Sequence, residues 1–233
     1  MKEPVLLVLF SGAYEAQGFD RWLDAQGVEV ILADATAVEG TCFYCSPEAR
    51  VQIGELLPPE LPRLRWTDSG DYHYMSLLLA LREKEPFHLL LLDHHPDNQA
   101  PAFGAEVLSC GSWVKALEEE QPLLRSVFTI GPEGGEEAGL AAWLSERKGE
   151  RVYVSLDKDI LDRPWARTAW TQGTYSLRQV EGLLGRVLES GVQLAAIDVC
   201  GEMAPGRGAS LEDQRINKET NIDIYTFLNN HLK

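Results

Sequence analysis

The chain reads as an α/β protein, a three-layer α/β/α sandwich around a mainly parallel central sheet. Short apolar runs alternate with longer amphipathic stretches along all 233 residues, the order that builds strand–helix units. Several of the short runs are apolar on both faces, as strands covered by helices on both sides must be. Two of them end abruptly in carboxylates and imidazoles, which suits the carboxyl edge of such a sheet, where ligands bind.

The first apolar run, 5–10, is short and has no small-residue cleavage site after it, so it reads as a strand and not as a signal peptide. An amphipathic helix is expected over 13–26 and a strand over 28–33. Helix 47–56, strand 63–67, helix 73–84 and strand 88–93 come next. The second half repeats the alternation: helix 112–120, strand 126–130, helix 136–147, strand 151–156, helix 176–189, strand 193–199 and helix 218–232. Ser176-Leu-Arg-Gln179 has the pattern of a capping box at a helix start. No repeat, low-complexity tract or linker interrupts the chain, so one domain over 1–233 is expected.

A hydrophobic content of 45% supports a substantial core, and no segment reaches the ~18 apolar residues of a membrane helix. The formal net charge of −15 opposes binding to a nucleic-acid backbone and leans weakly towards a cationic small molecule. Cys42, Cys45, Cys110 and Cys200 are too few for a disulfide scaffold in a chain this long. A reduced, cytoplasmic setting is therefore expected, with a small-molecule substrate, no membrane partner, and a homo-oligomer left open.

The chemistry concentrates at strand ends. In LLLLDHHPDN, residues 89–98, alternation along an extended chain would put Asp93, His95 and Asp97 on one side and His94 and Pro96 on the other. Two carboxylates and an imidazole converging there suit a divalent cation, though a polar loop after a buried strand would read the same. RVYVSLDKDILD, residues 151–162, repeats the design with Asp157 and Asp159. Carboxylates brought together would repel one another strongly unless a metal removed the penalty. DSGDYHYMS, residues 68–76, adds His73, and AAIDVCGEMAP, residues 195–205, adds Asp198 and Glu202.

Taken in order, DYH (71–73), DHHPD (93–97), SLDKD (155–159), GTYSLRQ (173–179) and DVCGEMAP (198–205) resemble the ureohydrolases, the arginase and agmatinase family. These enzymes are related in fold to the metal-dependent deacetylases, and the likeness extends over about residues 64–205. It implies a binuclear centre of two divalent ions, manganese first, with zinc, iron or nickel as alternatives. Asp93 and Asp157 would bridge the ions, His73 and Asp97 completing one site and His95 and Asp159 the other. It further implies hydrolysis of a carbon–nitrogen bond in a small guanidino, amidino or amide compound by a metal-bridging hydroxide. Asp97 would orient that hydroxide, Glu202 would pair with a substrate guanidinium, and Gln99 would contact substrate.

The chain also departs from the family pattern. Cys110 stands where the family has a proton-shuttling histidine, Tyr72 separates Asp71 from His73, and the Asp198–Glu202 spacing is one residue longer. Three rival readings compete with this one. A single-zinc deacetylase keeps the fold, but the full carboxylate set suits two metals better. A DHH-type manganese phosphoesterase needs an early His and Asp cluster, yet residues 1–72 contain no histidine. A non-catalytic metal-binding protein would explain Cys110, but not the full ligand set. Cys42-Phe-Tyr-Cys45 has redox or zinc spacing without a second pair to complete a zinc site. GPEGGEEAG, residues 131–139, is too acidic for phosphate and reads as a helix start.

Overall fold

The structure, a computed structural model, describes residues 2–100, 107–131 and 137–232. Seven strands form one sheet: β1 (Val5–Leu9), β2 (Val30–Asp34), β4 (Leu64–Trp66), β5 (Phe87–Leu92), β7 (Leu124–Ile130), β8 (Arg151–Asp157) and β9 (Gln193–Cys200). Across the sheet they run in the order β2-β1-β4-β9-β8-β5-β7. All neighbours pair in parallel, in agreement with the α/β expectation.

Burial depends on position in the sheet. Every residue of the inner strands β4 and β5 is buried, whereas the edge strands β2 and β7 are largely half-buried or exposed. Successive residues serve opposite faces. Val5, Leu7, Leu90 and Leu92 join one apolar cluster with Phe19, Leu183 and Leu228 from helices on that side. Leu6, Val8, Leu89 and Leu91 join the other with Ile53, Leu77 and Trp113. Each fully buried leucine of β5 contributes about 1.5–3 kcal/mol relative to exposure, which is why the run of four leucines is internal. The helices are α1 (Ala13–Gln17), α2 (Phe19–Ala25), α3 (Pro47–Leu56), α4 (Met75–Ala80), α5 (Trp113–Glu120), α6 (Leu140–Ser145), α7 (Leu177–Glu189) and α8 (Leu211–His231). Among the described residues no helix is long and apolar enough to cross a membrane.

Several boundaries differ from expectation for local reasons. The helix expected over 13–26 is two, because Gly18 takes a left-handed conformation (φ 66°) between them. The helix expected over 73–84 is reduced to α4, with a 3₁₀ turn at Gly70–Tyr72 before it. The last helix starts earlier than expected, at a Ser210–Asp213 capping box preceding a polar first turn. The capping box at Ser176 and Gln179 is present as expected. A short antiparallel pair, β3 (Tyr44–Cys45) with β6 (Leu108–Ser109), is too brief for any periodicity to announce. Of the Gly-rich segment 131–139, residues 132–136 lie outside the described residues; a 3₁₀ turn at Glu137–Gly139 leads into α6.

The order β9-β8-β5 decides where the polar strand ends meet. Parallel pairing places Leu92 beside Leu156 and Asp157 beside Cys200, so the acidic strand ends open at one edge of the sheet.

Candidate metal centre

β8 delivers Asp157 as its last residue, and a 3₁₀ turn at Lys158–Ile160 comes directly after it. Asp157 caps that turn by accepting from the Asp159 backbone N–H (2.8 Å), which fixes both carboxylates relative to one another. Beside them Gly201 has φ 96°, and a Cβ there would lie 2.4 Å from Asp157 Oδ1, so glycine is required. Gly131 is equally constrained, since a Cβ would fall 1.7 Å from the Asp93 carbonyl oxygen.

Asp93, His95 and Asp97 come together, but not through strand alternation. β5 ends at Leu92 and the chain continues as loop, with Asp97 in a left-handed conformation (φ 45°). Its carbonyl accepts from the Val114 N–H (3.1 Å), and Trp113 Nε1 donates to Asp97 Oδ2 (2.9 Å). The loop is thus held by α5, and that hold directs the side chain.

Two subclusters result. His73 Nδ1 lies 2.8 Å from Asp97 Oδ2 and 3.4 Å from both Asp93 Oδ2 and Asp157 Oδ2. His95 Nδ1 lies 2.8 Å from Asp159 Oδ2 and 3.7 Å from Asp93 Oδ1. Asp93 therefore stands between them with one oxygen towards each. Behind His73, its Nε2 meets Ser155 Oγ at 3.1 Å. Ser155, Ser76 and Tyr153 all donate to the buried Asp198 (2.8, 2.8 and 2.6 Å), so Asp198 holds the serine that meets His73 without joining the cluster.

The electrostatics of this arrangement are unfavourable as it stands. Burial raises the Asp93 carboxyl well above its ordinary range, and Asp97, Asp159 and Asp157 add to the shift. Burial and Asp159 push Asp157 up to about 7. Burial disfavours the charged form of His73, yet Asp97, Asp157 and Asp198 outweigh it and push the imidazole up to about 9. The hydrogen bond to Asp159 raises His95 despite its burial. Asp93 Oδ2 is buried with no hydrogen-bond partner, a state that costs on the order of 1–3 kcal/mol or more. Divalent cations would relieve both the repulsion and the orphaned oxygen. The donor atoms of His73, Asp93 and Asp97, and separately those of Asp93, His95 and Asp159, lie within 4.8 Å of one another. Carboxylates with imidazoles at that separation fit divalent ions.

A cavity of about 230 Å³ opens onto this cluster, walled in part by Phe43, Tyr44 and Trp170, with Gln99, Ser109 and Cys110 also lining it. Cys110 is tied to Phe43 by a backbone hydrogen bond (3.1 Å). Burial, then the nearby Asp97, pushes its thiol up to about 12.

No protein-family model matches the chain. An uncharacterized protein of Thermotoga maritima is 26% identical over 205 residues, covering 84% of this chain and 78% of that one. Among solved structures, proclavaminate amidino hydrolase from Streptomyces clavuligerus superposes with a TM-score of 0.65 at 18% identity, over 98% of this chain and 92% of that one. Arginase from Bacillus subtilis gives 0.63 at 13% identity, over 97% and 98% of the two chains. Formimidoylglutamase from Bacillus subtilis gives 0.63 at 14%, over 100% and 88%. The fold is that of the arginases and agmatinases.

Within this arginase fold one sequence expectation is corrected. Glu202 does not reach the cavity; it is fully buried and ion-paired with the equally buried Lys158. It also accepts from Gln17 Nε2 (2.6 Å) and Asn221 Nδ2 (2.8 Å). The physical reason is the turn at Gly201, after which the N–H groups of Gly201 and Glu202 both donate to the Asp68 carbonyl and direct the chain inwards. Cys42 is exposed and Cys45 buried, both free, and neither lines the cavity although Phe43 and Tyr44 between them do.

Two residues at the centre, Trp170 and Ser155, carried no recognisable signal, and a third, Cys200, carried one that was passed over. Trp170 comes from a patternless loop and is held by donating Nε1 to Asp71 Oδ1 (3.0 Å), while Arg207 braces the other oxygen of Asp71. Ser155 lies within an apolar strand. Cys200 could have been flagged, because it ends a strand as Asp157 does.

Proposed function

We propose that the chain is a binuclear metal-dependent hydrolase of a carbon–nitrogen bond in a small guanidino, amidino or amide compound. The observation that carries this reading is the pair of His–Asp subclusters, one buried and one half-open at His95, that share Asp93 and line a cavity. His73 and Asp97 would hold one ion and His95 and Asp159 the other, with Asp93 and Asp157 common to both. The oxygen-rich donor set makes manganese the first ion to test. When bound, two such ions acidify water and stabilise developing negative charge, which is what hydrolysis of an unactivated carbon–nitrogen bond needs.

The remaining work falls to the chain's own residues. Asp97, fixed by Trp113, would accept a hydrogen bond from the attacking water and hold its orientation. Phe43, Tyr44 and Trp170 line the cavity with aromatic side chains, which would limit water around the reacting group. Gln99, its backbone anchored to the Gly111 carbonyl (2.9 Å), offers an amide to the substrate. Burial and the neighbouring carboxylates favour the protonated Cys110 thiol, and as a thiol it would donate a hydrogen bond to the departing nitrogen. Because Glu202 is sealed inside, it gives no grounds for preferring a cationic substrate.

The test is metal-depleted protein reconstituted with Mn²⁺ and assayed against guanidino, amidino and acyl-amine compounds. Two ions per chain and turnover of one class are expected. Failure to bind any divalent ion would overturn the reading.

A further inference from the structure

Cys200 stands beside the proposed binuclear centre but has no part in it so far. Resting on that binuclear reading, we infer that Cys200 is a sulfur ligand to the ion held by His73. The two ions would then occupy unlike donor sets, one mixed sulfur, nitrogen and oxygen, the other nitrogen and oxygen only.

Cys200 is the last residue of β9 and pairs in register with Asp157, the last of β8. Its thiol is buried and donates to Asp157 Oδ2 across 3.1 Å. That same oxygen lies 3.4 Å from His73 Nδ1, and donor atoms of His73, Asp157 and Cys200 fall within 4.8 Å of one another. A metal takes sulfur at about 2.3 Å and imidazole nitrogen at about 2.0–2.1 Å. Around a tetrahedral ion two such donors stand about 3.6 Å apart, so the thiol and the imidazole, already within 4.8 Å of one another, would close towards the ion to share it.

A second feature converges on the same place. Asp93 Oδ2, buried and without a hydrogen-bond partner, also lies 3.4 Å from His73 Nδ1. One oxygen of Asp93 and one of Asp157 thus lie equally close to the same imidazole nitrogen, and the thiol meets the second of them. The backbone that carries the thiol is fixed, because the next residue, Gly201, donates to the Asp68 carbonyl (3.0 Å) and leaves no room for a side chain beside Asp157. Among the described residues, the metal-competent group that contains His95 adds only the carboxylates of Asp93 and Asp159.

The consequence is metal selection. Thiolate favours zinc or cobalt over manganese, whereas carboxylate and imidazole alone do not discriminate as strongly. Entry of the ion releases the thiol proton to solvent. The His73 position should fill with the thiophilic ion first, and the His95 position should accept manganese.

The test loads the metal-depleted full-length C42S/C45S/C110S variant, in which Cys200 is the sole thiol, with Co²⁺. Two ions per chain are expected, with a near-ultraviolet sulfur-to-cobalt charge-transfer band completed by the first equivalent. Adding C200S should remove the band while both ions still bind, and should lower the zinc-over-manganese preference at least tenfold. On unaltered protein, zinc-edge X-ray absorption should show a sulfur shell at about 2.3 Å, a reading independent of whether the multiple variant folds. Two bound ions with no sulfur signature in either measurement would overturn the inference and leave the binuclear reading standing. No bound ion would overturn both.

Discussion

Two buried charged clusters sit on either side of the short turn that carries Asp157, Lys158 and Asp159. Towards the cavity, Asp93, Asp97, Asp157 and Asp159 crowd around two imidazoles, with one carboxylate oxygen left unpaired. Away from it, Glu202 is met by Lys158, Gln17 and Asn221 and is fully satisfied. One cluster carries its own cation and needs nothing from outside. The other has an excess of carboxylates whose charge its own residues do not balance, the imbalance that the proposed divalent ions would relieve. The contrast also separates roles that sequence order alone had merged, since a carboxylate with a resident lysine is not free to meet a substrate.

The sharpest way to break the comparison is to remove a shared carboxylate from the open cluster. Asp93→Ala or Asp157→Ala should lower affinity for at least one ion more than about 100-fold, beyond the range typical of residues that merely support a ligand. Stoichiometry measured by inductively coupled plasma analysis should fall below two per chain, and unchanged stoichiometry would refute the assignment.

Metal removal should reveal the imbalance as a pH dependence. The Asp157 carboxyl is raised from 3.8 to about 7 in the fold. Its contribution is therefore fully present below about pH 4 and lost as pH rises through about 7. His73, raised from 6.5 to about 9, contributes below about pH 6.5 and loses that contribution as pH rises through about 9. Chelated protein should thus melt at progressively lower temperature from pH 5 to pH 9. Metal-loaded protein should show the opposite or a flatter trend, because the ions bind the deprotonated ligands. Equal melting temperatures for the chelated protein at both ends would show that the cluster is not strained.

The closed cluster predicts a different signature. Lys158→Met leaves Glu202 charged, buried and unpaired, and should cost about 3–5 kcal/mol of stability. Replacing both residues, as in Lys158→Met with Glu202→Leu, should recover much of that loss. Glu202→Gln should lower the melting temperature without changing KM for any substrate found. A raised KM with unchanged stability would return Glu202 to the substrate pocket.

Legibility in the sequence divides along the same line. The inner strands are readable because residues such as Leu89–Leu92 must be apolar on both faces, and the strand-end carboxylates stand out against them. Asp93, His95 and Asp97 do converge, but for a reason other than the one their spacing suggests. Alternation does not extend past Leu92, and the left-handed Asp97 and its bond to Trp113 supply the geometry instead. Glu202 is misplaced by sequence reasoning because the direction of the chain after Cys200 depends on one positive φ at Gly201, which no spacing encodes. Cys110 and Gln99 do line the cavity, whereas Trp170 arrives from a loop whose path is set by tertiary contacts with Asp71.

The smallest expected effect probes the boundary between the two behaviours. Ser155 links His73 Nε2 (3.1 Å) to Asp198 Oδ1 (2.8 Å), so it stands between a ligand and a carboxylate that is already satisfied. Ser155→Ala removes the hydroxyl that fixes the imidazole while Asp198 keeps its bonds from Ser76 and Tyr153. Fold stability should therefore change little. Affinity for the ion at His73 should fall about 10-fold, the lower end for loss of a supporting hydrogen bond, and the ion at His95 should be unaffected. Two-site calorimetric titration resolves the difference. Equal weakening of both ions, or a large drop in melting temperature, would mean that Ser155 serves the sheet and not the centre, and that the open cluster extends no further than its direct ligands.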